Sequence, residues 1–409
     1  MKVLYISYDG MTDALGRSQV VPYLMGLSSK GHTIHIISCE KKSALQTDRA
    51  DVKEILRRNK IHWHPLSFST QPPFLSKVMD VVKIKRKSRE LQQKESFDIV
   101  HCRSYVAALA GLELKMKYDL KFVFDMRGFW ADERIDGKIW SLKNPIYKII
   151  YNYFKKKEKL FFHYADSIVS LTQNGKNVIE EIFGEEIARK TTVIPCCADT
   201  DLFSREKVSE SRTRELKQNL GLSADSFVLS YLGSVGTWYL LDEMLLFFKK
   251  MKVKFPDARF LFISGDEPSH IKRKASETAI DPDDIIVAKA SRENVPAYLS
   301  LSDASIFFIK PVFSKKASSP TKQAEIMSMG IPVICNSGVG DTDLIFAGND
   351  AGLVLKDFSE AEMKTVIGEM DEILKLDPAQ IRKKAIKMFS LNDGVEEYHS
   401  IYNTIQRKA

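Results

Sequence analysis

The sequence predicts an α/β protein built of two doubly wound parallel sheets, and three observations carry that expectation. Its 409 residues exceed what one hydrophobic core usually serves. Short β-branched and apolar runs alternate with longer segments of helical period, as repeated strand–helix–strand units require. The alternation also comes as two successive series, separated by a polar stretch.

The first series has strand candidates at 3–8, 33–38, 61–66, 98–101, 121–125, 167–171 and 192–194, with a helical segment at 18–30 among those between them. The second has strands at 227–232, 259–264, 285–288, 304–309, 332–336 and 352–355, and helices that include 240–252 and 321–329. The boundary falls after Val193-Ile194-Pro195, in a stretch running to about Asp225 that is rich in charge and poor in apolar residues. This gives domains of 1–200 and 201–391, with a last helix of about 392–409 expected to pack back on the first. No short-period repeat is present, which excludes a solenoid. Open parallel sheets bind ligands beyond the carboxyl ends of their strands, so two facing sheets would place a site in the cleft between them.

Composition fits an ordinary globular protein, with 44% hydrophobic and 28% charged residues. A net charge of +8 suits nucleic acid, an anionic membrane or a phosphorylated substrate, and cannot choose among them. Nucleic acid is disfavoured because the cationic runs carry no recognition motif. The five cysteines are odd in number and scattered without a C-x-x-C pair, which argues against a disulfide framework or zinc site and for a reducing compartment. Met1-Lys2-Val3-Leu4 opens a strand-like run rather than a secretory signal, and no stretch reaches the roughly 18 apolar residues of a spanning helix. The expected location is the cytoplasm, or the inner face of the cytoplasmic membrane. Segments 73–89 and 147–159 combine lysines with apolar residues. Each reads either as a peripheral contact with anionic lipid or as a solvated helix face above a buried stripe.

The segment richest in chemistry is Ser318-Ser319-Pro320-Thr321-Lys322-Gln323-Ala324-Glu325. It opens a helix, with Ser319 placed to cap it and Pro320 suited to the first helical position. The free amides and positive dipole end of that terminus attract phosphate, and Lys322 adds a full charge. Glu325, one turn in, can accept hydrogen bonds from vicinal sugar hydroxyls. A capped helix of this composition also occurs with no ligand role. Gly16 lies in the loop after the first strand, either as a turn glycine or where backbone amides approach a ligand. His101 ends a strand and Arg127 follows another, so both reach the carboxyl edge; an isolated histidine there serves a structural role at least as readily. The run Arg127-Gly128-Phe129-Trp130 mixes aromatic faces and charge in a way that suits a sugar. No H-E-x-x-H, EF-hand loop or Cys/His cluster appears, so no metal site is expected. Gly184-Glu185-Glu186-Ile187-Ala188-Arg189-Lys190-Thr191 fails as a phosphate loop because Arg189 stands where a glycine is required.

Taken in order, these residues resemble the retaining glycosyltransferases of family 4, and more narrowly a branch that builds bacterial surface polysaccharides. The resemblance runs through Gly10, Gly16-Arg17-Ser18-Gln19, Gly31-His32, Val100-His101-Cys102-Arg103, Asp125-Met126-Arg127-Gly128-Phe129-Trp130 and Asp199-Thr200-Asp201-Leu202-Phe203. It continues in Tyr231-Leu232-Gly233-Ser234, Gly265-Asp266, Val295-Pro296-Ala297-Tyr298-Leu299 and the segment around Glu325.

The resemblance implies the GT-B architecture, two Rossmann-like domains with the nucleotide-diphosphate sugar on the second and a saccharide or lipid-linked saccharide acceptor on the first. Donor binding falls to Gly233, Ser234, Gly265, Ser319, Thr321, Lys322 and Glu325. The acceptor side falls to Gly16, Arg17, Arg127, Phe129 and Trp130, and the candidates for catalysis are Glu325, Lys322, Arg127 and His101. No cofactor or metal is implied, since the nucleotide sugar is itself a substrate. Two departures stand out. Glu325 matches the second glutamate of the family's Glu-x7-Glu motif, but Ala317 occupies the place of the first. Val235-Gly236-Thr237-Trp238-Tyr239 lacks the Arg and Lys that relatives aim at the diphosphate, leaving Lys322 first in line, then Lys310, Lys315 and Lys316. They keep open a non-catalytic nucleotide-sugar or glycan-binding subunit; a GT-B sugar-nucleotide epimerase is the rival within enzymes.

Overall fold

The computed structural model describes residues 1–42, 46–72, 75–223 and 225–407. The chain divides into two compact units, one formed by Met1–Pro195 with Leu391–Ala409 and the other by Cys196–Ser390. The division falls at Pro195/Cys196, where the sequence reading puts it at 200/201. The polar stretch that follows is no free linker: it folds into the second unit, with Phe203 fully buried and the helix Glu210–Asn219 seated through Leu216.

The first unit is a seven-stranded sheet of β1 (Lys2–Ser7), β2 (Thr33–Glu40), β3 (His62–Ser67), β4 (Ile99–Arg103), β5 (Lys121–Asp125), β6 (Ser167–Ser170) and β7 (Thr191–Val193). Their spatial order is β3-β2-β1-β4-β5-β6-β7. The second is a six-stranded sheet of β8 (Val228–Leu232), β9 (Arg259–Ile263), β10 (Ile285–Ala288), β11 (Ala304–Ile306), β12 (Val333–Asn336) and β13 (Gly352–Leu355), ordered β10-β9-β8-β11-β12-β13. All the pairings in both are parallel. Strands covered on both faces must be apolar throughout, and β4 and β8 are buried at each of their five positions.

Each strand predicted from the sequence is present, but the helix expected at 18–30 is two helices, Ala14–Gln19 and Val21–Ser29. They break at Val20, whose ψ is −61° at φ −126°, because Pro22 in the first turn of the second helix has no N–H to continue the ladder. Gly16 therefore lies within a helix and not in a loop. A Cβ there would stand 2.1 Å from the Gly10 carbonyl oxygen and 2.6 Å from the Met11 Cα, so only glycine lets this helix touch the loop after β1.

The last helix, Leu391–Arg407, packs in the first unit against Val21–Ser29. Gly26 permits the approach, since a Cβ on it would come within 2.6 Å of the Val395 side chain. In the second unit Ala198 N–H donates to the Phe389 carbonyl at 2.9 Å, which ties together the two stretches of chain that enter and leave it.

Candidate donor and acceptor sites

In the second unit the helix Thr321–Ser328 begins at the carboxyl edge of the sheet, beside the turns that follow β8 and β9. Every residue from Lys322 to Ser328 is buried. Pro320 takes the N-cap position, one place later than expected, and carries no side-chain cap. Ser319, expected to cap the helix, instead accepts the Cys196 N–H at 3.1 Å. The first-turn amides of this helix thus have no hydroxyl from Ser319.

Lys322 is 7% exposed, and its Nζ has no hydrogen-bond partner among the described residues. Tyr231 and Tyr239 enclose it, with ring centroids 4.0 and 3.5 Å from Nζ. Burial pushes the amine well below the ordinary lysine range, and Glu325 and Asp266 oppose that only in part. The ring faces are the main attraction offered to the ammonium. Gly233, at φ +103°, leaves open the space next to it: a Cβ there would lie 3.3 Å from the Lys322 Nζ.

One turn on, Glu325 is 8% exposed and accepts a hydrogen bond from Arg292 Nη1 at 2.9 Å. Burial raises its carboxyl above the usual range, against the pull of Arg292. Arg292 in turn stacks over Phe203, 5.4 Å from the ring centroid. Asp266 fixes the turn after β8 by accepting from Val235 N–H at 2.6 Å and from the Ser264 hydroxyl at 3.0 Å. The Tyr231 hydroxyl donates to the Ser234 carbonyl at 2.5 Å. Gly265 is exposed, with nothing within 4 Å of where its Cβ would stand. Gly233, Ser234, Gly265, Lys322 and Glu325 therefore converge on one edge, together with Tyr231, Tyr239, Asp266 and Arg292.

Ala317 is fully buried in the turn Phe313–Ala317. Among the other lysines, Lys315 is buried with its Nζ 3.8 Å over the Trp238 ring, whereas Lys316 is exposed. The segment that lacks the expected Arg and Lys is held in place by Lys310 N–H donating to the Trp238 carbonyl and Leu240 N–H to that of Phe308.

In the first unit β4 runs on to Arg103, so His101 lies within the strand rather than at its end. It is 1% exposed, shares a 2.6 Å hydrogen bond with the Tyr402 hydroxyl, and faces Asp125 at 3.9 Å. Burial depresses its pKa, with Asp125 opposing. Tyr398 and Tyr402 of the last helix cover this residue, so His101 does not reach the edge of the sheet. Asp125 accepts the Tyr398 hydroxyl at 3.1 Å. Burial works to raise its carboxyl, but Arg127, His101 and Arg103 together hold it below the usual range.

Arg127 stands just past β5 at φ +58°, and Ser104 just past β4 at φ +67°, both unfavourable for residues with a Cβ. Arg127 Nη1 is 3.8 Å from Asp125. Arg103 is 5% exposed, and its Nε, which lacks a hydrogen-bond partner among the described residues, is 3.6 Å from Asp9. Phe129, expected to face an acceptor, is core at 1% exposure. Trp130 packs against Phe154 and Trp140, at centroid distances of 4.7 and 5.4 Å, which gives it a structural task. Arg17 lies on the surface beside Asp48 at 3.4 Å.

Glu40 was not singled out by the sequence, though a carboxylate closing an apolar strand is a visible signal. Fully buried, it accepts from Met11 N–H at 2.8 Å, Thr12 N–H at 3.2 Å, and the Thr12 and Ser38 hydroxyls at 2.6 Å each, which fixes the loop between Gly10 and the helix Ala14–Gln19. Among the described residues no group of three or more His, Cys, Asp or Glu is arranged to hold a metal ion.

Two parallel-sheet α/β units with these strand orders define the GT-B class, and solved structures agree. Sucrose-phosphate synthase from Thermosynechococcus elongatus superposes with a TM-score of 0.72 at 14% identity, covering 100% of both chains. Anabaena Alr3699/HepE, solved with UDP and glucose, gives 0.69 at 13% identity over 98% of this chain and 99% of its own. The model of Glycosyltransferase Family 4 matches residues 23–202, and that of Glycosyl transferases group 1 matches residues 212–388. Each unit thus matches a glycosyltransferase domain over most of its length. An uncharacterized glycosyltransferase of Methanocaldococcus jannaschii is 26% identical over 217 residues, which are 49% of this chain and 48% of that protein. The chain thus matches about half the length of that curated relative.

Proposed function

We propose that the chain transfers a sugar, with retention of anomeric configuration and without a metal, from a nucleotide-diphosphate sugar to a saccharide or lipid-linked saccharide acceptor. The second unit takes the donor and the first the acceptor. The setting is assembly of a bacterial surface glycan at the inner face of the cytoplasmic membrane. The observation that carries this reading is Lys322, a buried amine with no hydrogen-bond partner among the described residues, in the first turn of a helix that opens at a sheet's carboxyl edge. A donor diphosphate supplies the charge that this amine lacks, while the helix amides supply further donors. As the sugar bond breaks, negative charge grows on the leaving diphosphate, and the Lys322 ammonium that this bound charge favours stabilises it. Glu325, held by Arg292, suits the ribose hydroxyls. The UDP of the Anabaena structure supports a nucleoside diphosphate as the ligand class.

The test is nucleotide release from a panel of UDP-, GDP- and ADP-sugars, with and without lipid-diphosphate saccharide acceptors. Acceptor-dependent release of one nucleotide, reduced by on the order of a hundredfold in Glu325→Gln, is the expected result. Tight donor binding without turnover under any acceptor would establish a binding subunit instead, and acceptor-independent product would establish an epimerase.

A further inference from the structure

The first unit carries an apolar surface that its own fold leaves uncovered. Along the first two turns of the helix Leu75–Glu95, the outward residues are Leu75, Val78, Met79 and Val82, each at least 45% exposed. Their i, i+3, i+4, i+7 spacing is the stripe that a globular helix normally turns inward. Here Ser76 and Asp80 go inward, both fully buried, so this part of the helix is inside out. Pro73 and Phe74, included in the segment singled out from the sequence, lie outside the described residues.

A second such surface leads into and along the helix Pro145–Tyr164. Ile139, Leu142, Ile146, Ile149 and Tyr153 are each at least 44% exposed, Ile149 by 69%. Right-handed crossovers put both helices on one face of the sheet, where each packs on Ser104–Tyr118 between them. Their apolar N-terminal turns lie at the carboxyl edge, the edge that carries Arg103 and Arg127.

Charge distinguishes the two. Most of the basic run on Leu75–Glu95 is consumed within the fold: Lys83 pairs with Asp80, Lys85 and Arg89 with Glu113, and Lys87 with Glu90. Around the second surface, Lys138, Lys143, Lys148, Lys156 and Lys159 are all exposed and form no ion pair among the described residues. Trp140 and Tyr147 stack there at 6.3 Å, the amphipathic aromatics that favour a membrane interface.

We propose that this face docks the protein on an anionic phospholipid surface, the apolar side chains entering the headgroup layer and the free lysines meeting lipid phosphates. Docking stands on the surface itself. Its use, to bring a lipid-linked acceptor to the Arg103 and Arg127 edge, rests on the transferase reading above.

The test is co-sedimentation of the full chain with vesicles of equal parts phosphatidylglycerol and phosphatidylcholine, or of phosphatidylcholine alone. Binding to the anionic vesicles only, weakened by salt, is expected. Ile146→Glu with Ile149→Glu should lower partitioning by about tenfold or more while leaving turnover of a water-soluble acceptor unchanged. Leu75→Ser with Val78→Ser, on the other helix, should also weaken binding. No sedimentation of the wild type with anionic vesicles, or sedimentation of both double variants equal to that of the wild type, would overturn the proposal. So would a wild-type dimer in light scattering that Ile146→Glu with Ile149→Glu converts to monomer, since a second copy would then own the face. Failure of the transferase reading appears separately, as absence of nucleotide release in a protein that still binds vesicles.

Discussion

Replacing Lys322 with methionine should make the second unit more stable and abolish its response to nucleotide. The native Nζ is buried without a hydrogen-bond acceptor among the described residues, a condition that costs several kcal/mol even after relaxation. Two tyrosine faces at 4.0 and 3.5 Å return part of this, about 1–2 kcal/mol each when desolvated. The positive end of the helix opposes the ammonium by a further few tenths of a kcal/mol, roughly. The balance leaves a destabilisation of about 2 kcal/mol, which an apolar side chain of similar length removes; for a unit of this size that is a rise of about 4–8 °C in Tm.

Differential scanning calorimetry of both proteins reads the shift. The pH dependence gives a second signature. The folded-state pKa of Lys322 is depressed, so between that value and the ordinary lysine value near 10.4 the unfolded chain holds a proton that the native state does not. Wild-type stability should therefore climb with pH across this window, and the variant should lack that climb. Added nucleoside diphosphate should raise the wild-type Tm by mass action and leave the variant unmoved. A Lys322→Met protein that is less stable than wild type, or that keeps the nucleotide-induced shift, would refute the argument.

Arg292→Met removes the partner of Glu325, so burial should raise that carboxyl further. Donor affinity, measured by calorimetry, should then fall away at a higher pH than in wild type; an unmoved profile would separate Arg292 from the donor site. Gly16→Ala places a methyl 2.1 Å from a backbone oxygen, and the forced shift should destabilise the first unit by about 1–3 kcal/mol, visible as a lowered first-unit transition.

The strands were legible because parallel strands buried on both faces must be written in unbroken apolar and β-branched residues. The sequence placed Lys322 and Glu325 in the first turns of a helix, and the structure has them there. What escaped was settled by contacts distant in the chain. His101 lies 301 positions from the tyrosine that bonds and covers it, and Arg292 lies 33 from Glu325. Gly16 was misplaced because its role depends on the loop it touches and not on its neighbours. Ser319 was assigned to a cap on local preference, and the amide of Cys196 claimed its hydroxyl. The basic run at 83–89 looked like a free cationic patch, since sequence alone cannot show that Glu113 of another helix neutralises two of its members.

The return of Leu391–Arg407 to the first unit sets an order of assembly. During synthesis the ribosome delivers all seven strands of the first sheet long before the helix that covers His101 and Asp125, whereas Cys196–Ser390 is contiguous and can mature as soon as it emerges. The unit begun first is thus completed last. A fragment stopping at residue 195 would leave its histidine and aspartate uncovered and fall to proteases, while one spanning 196–390 should survive and retain nucleotide binding.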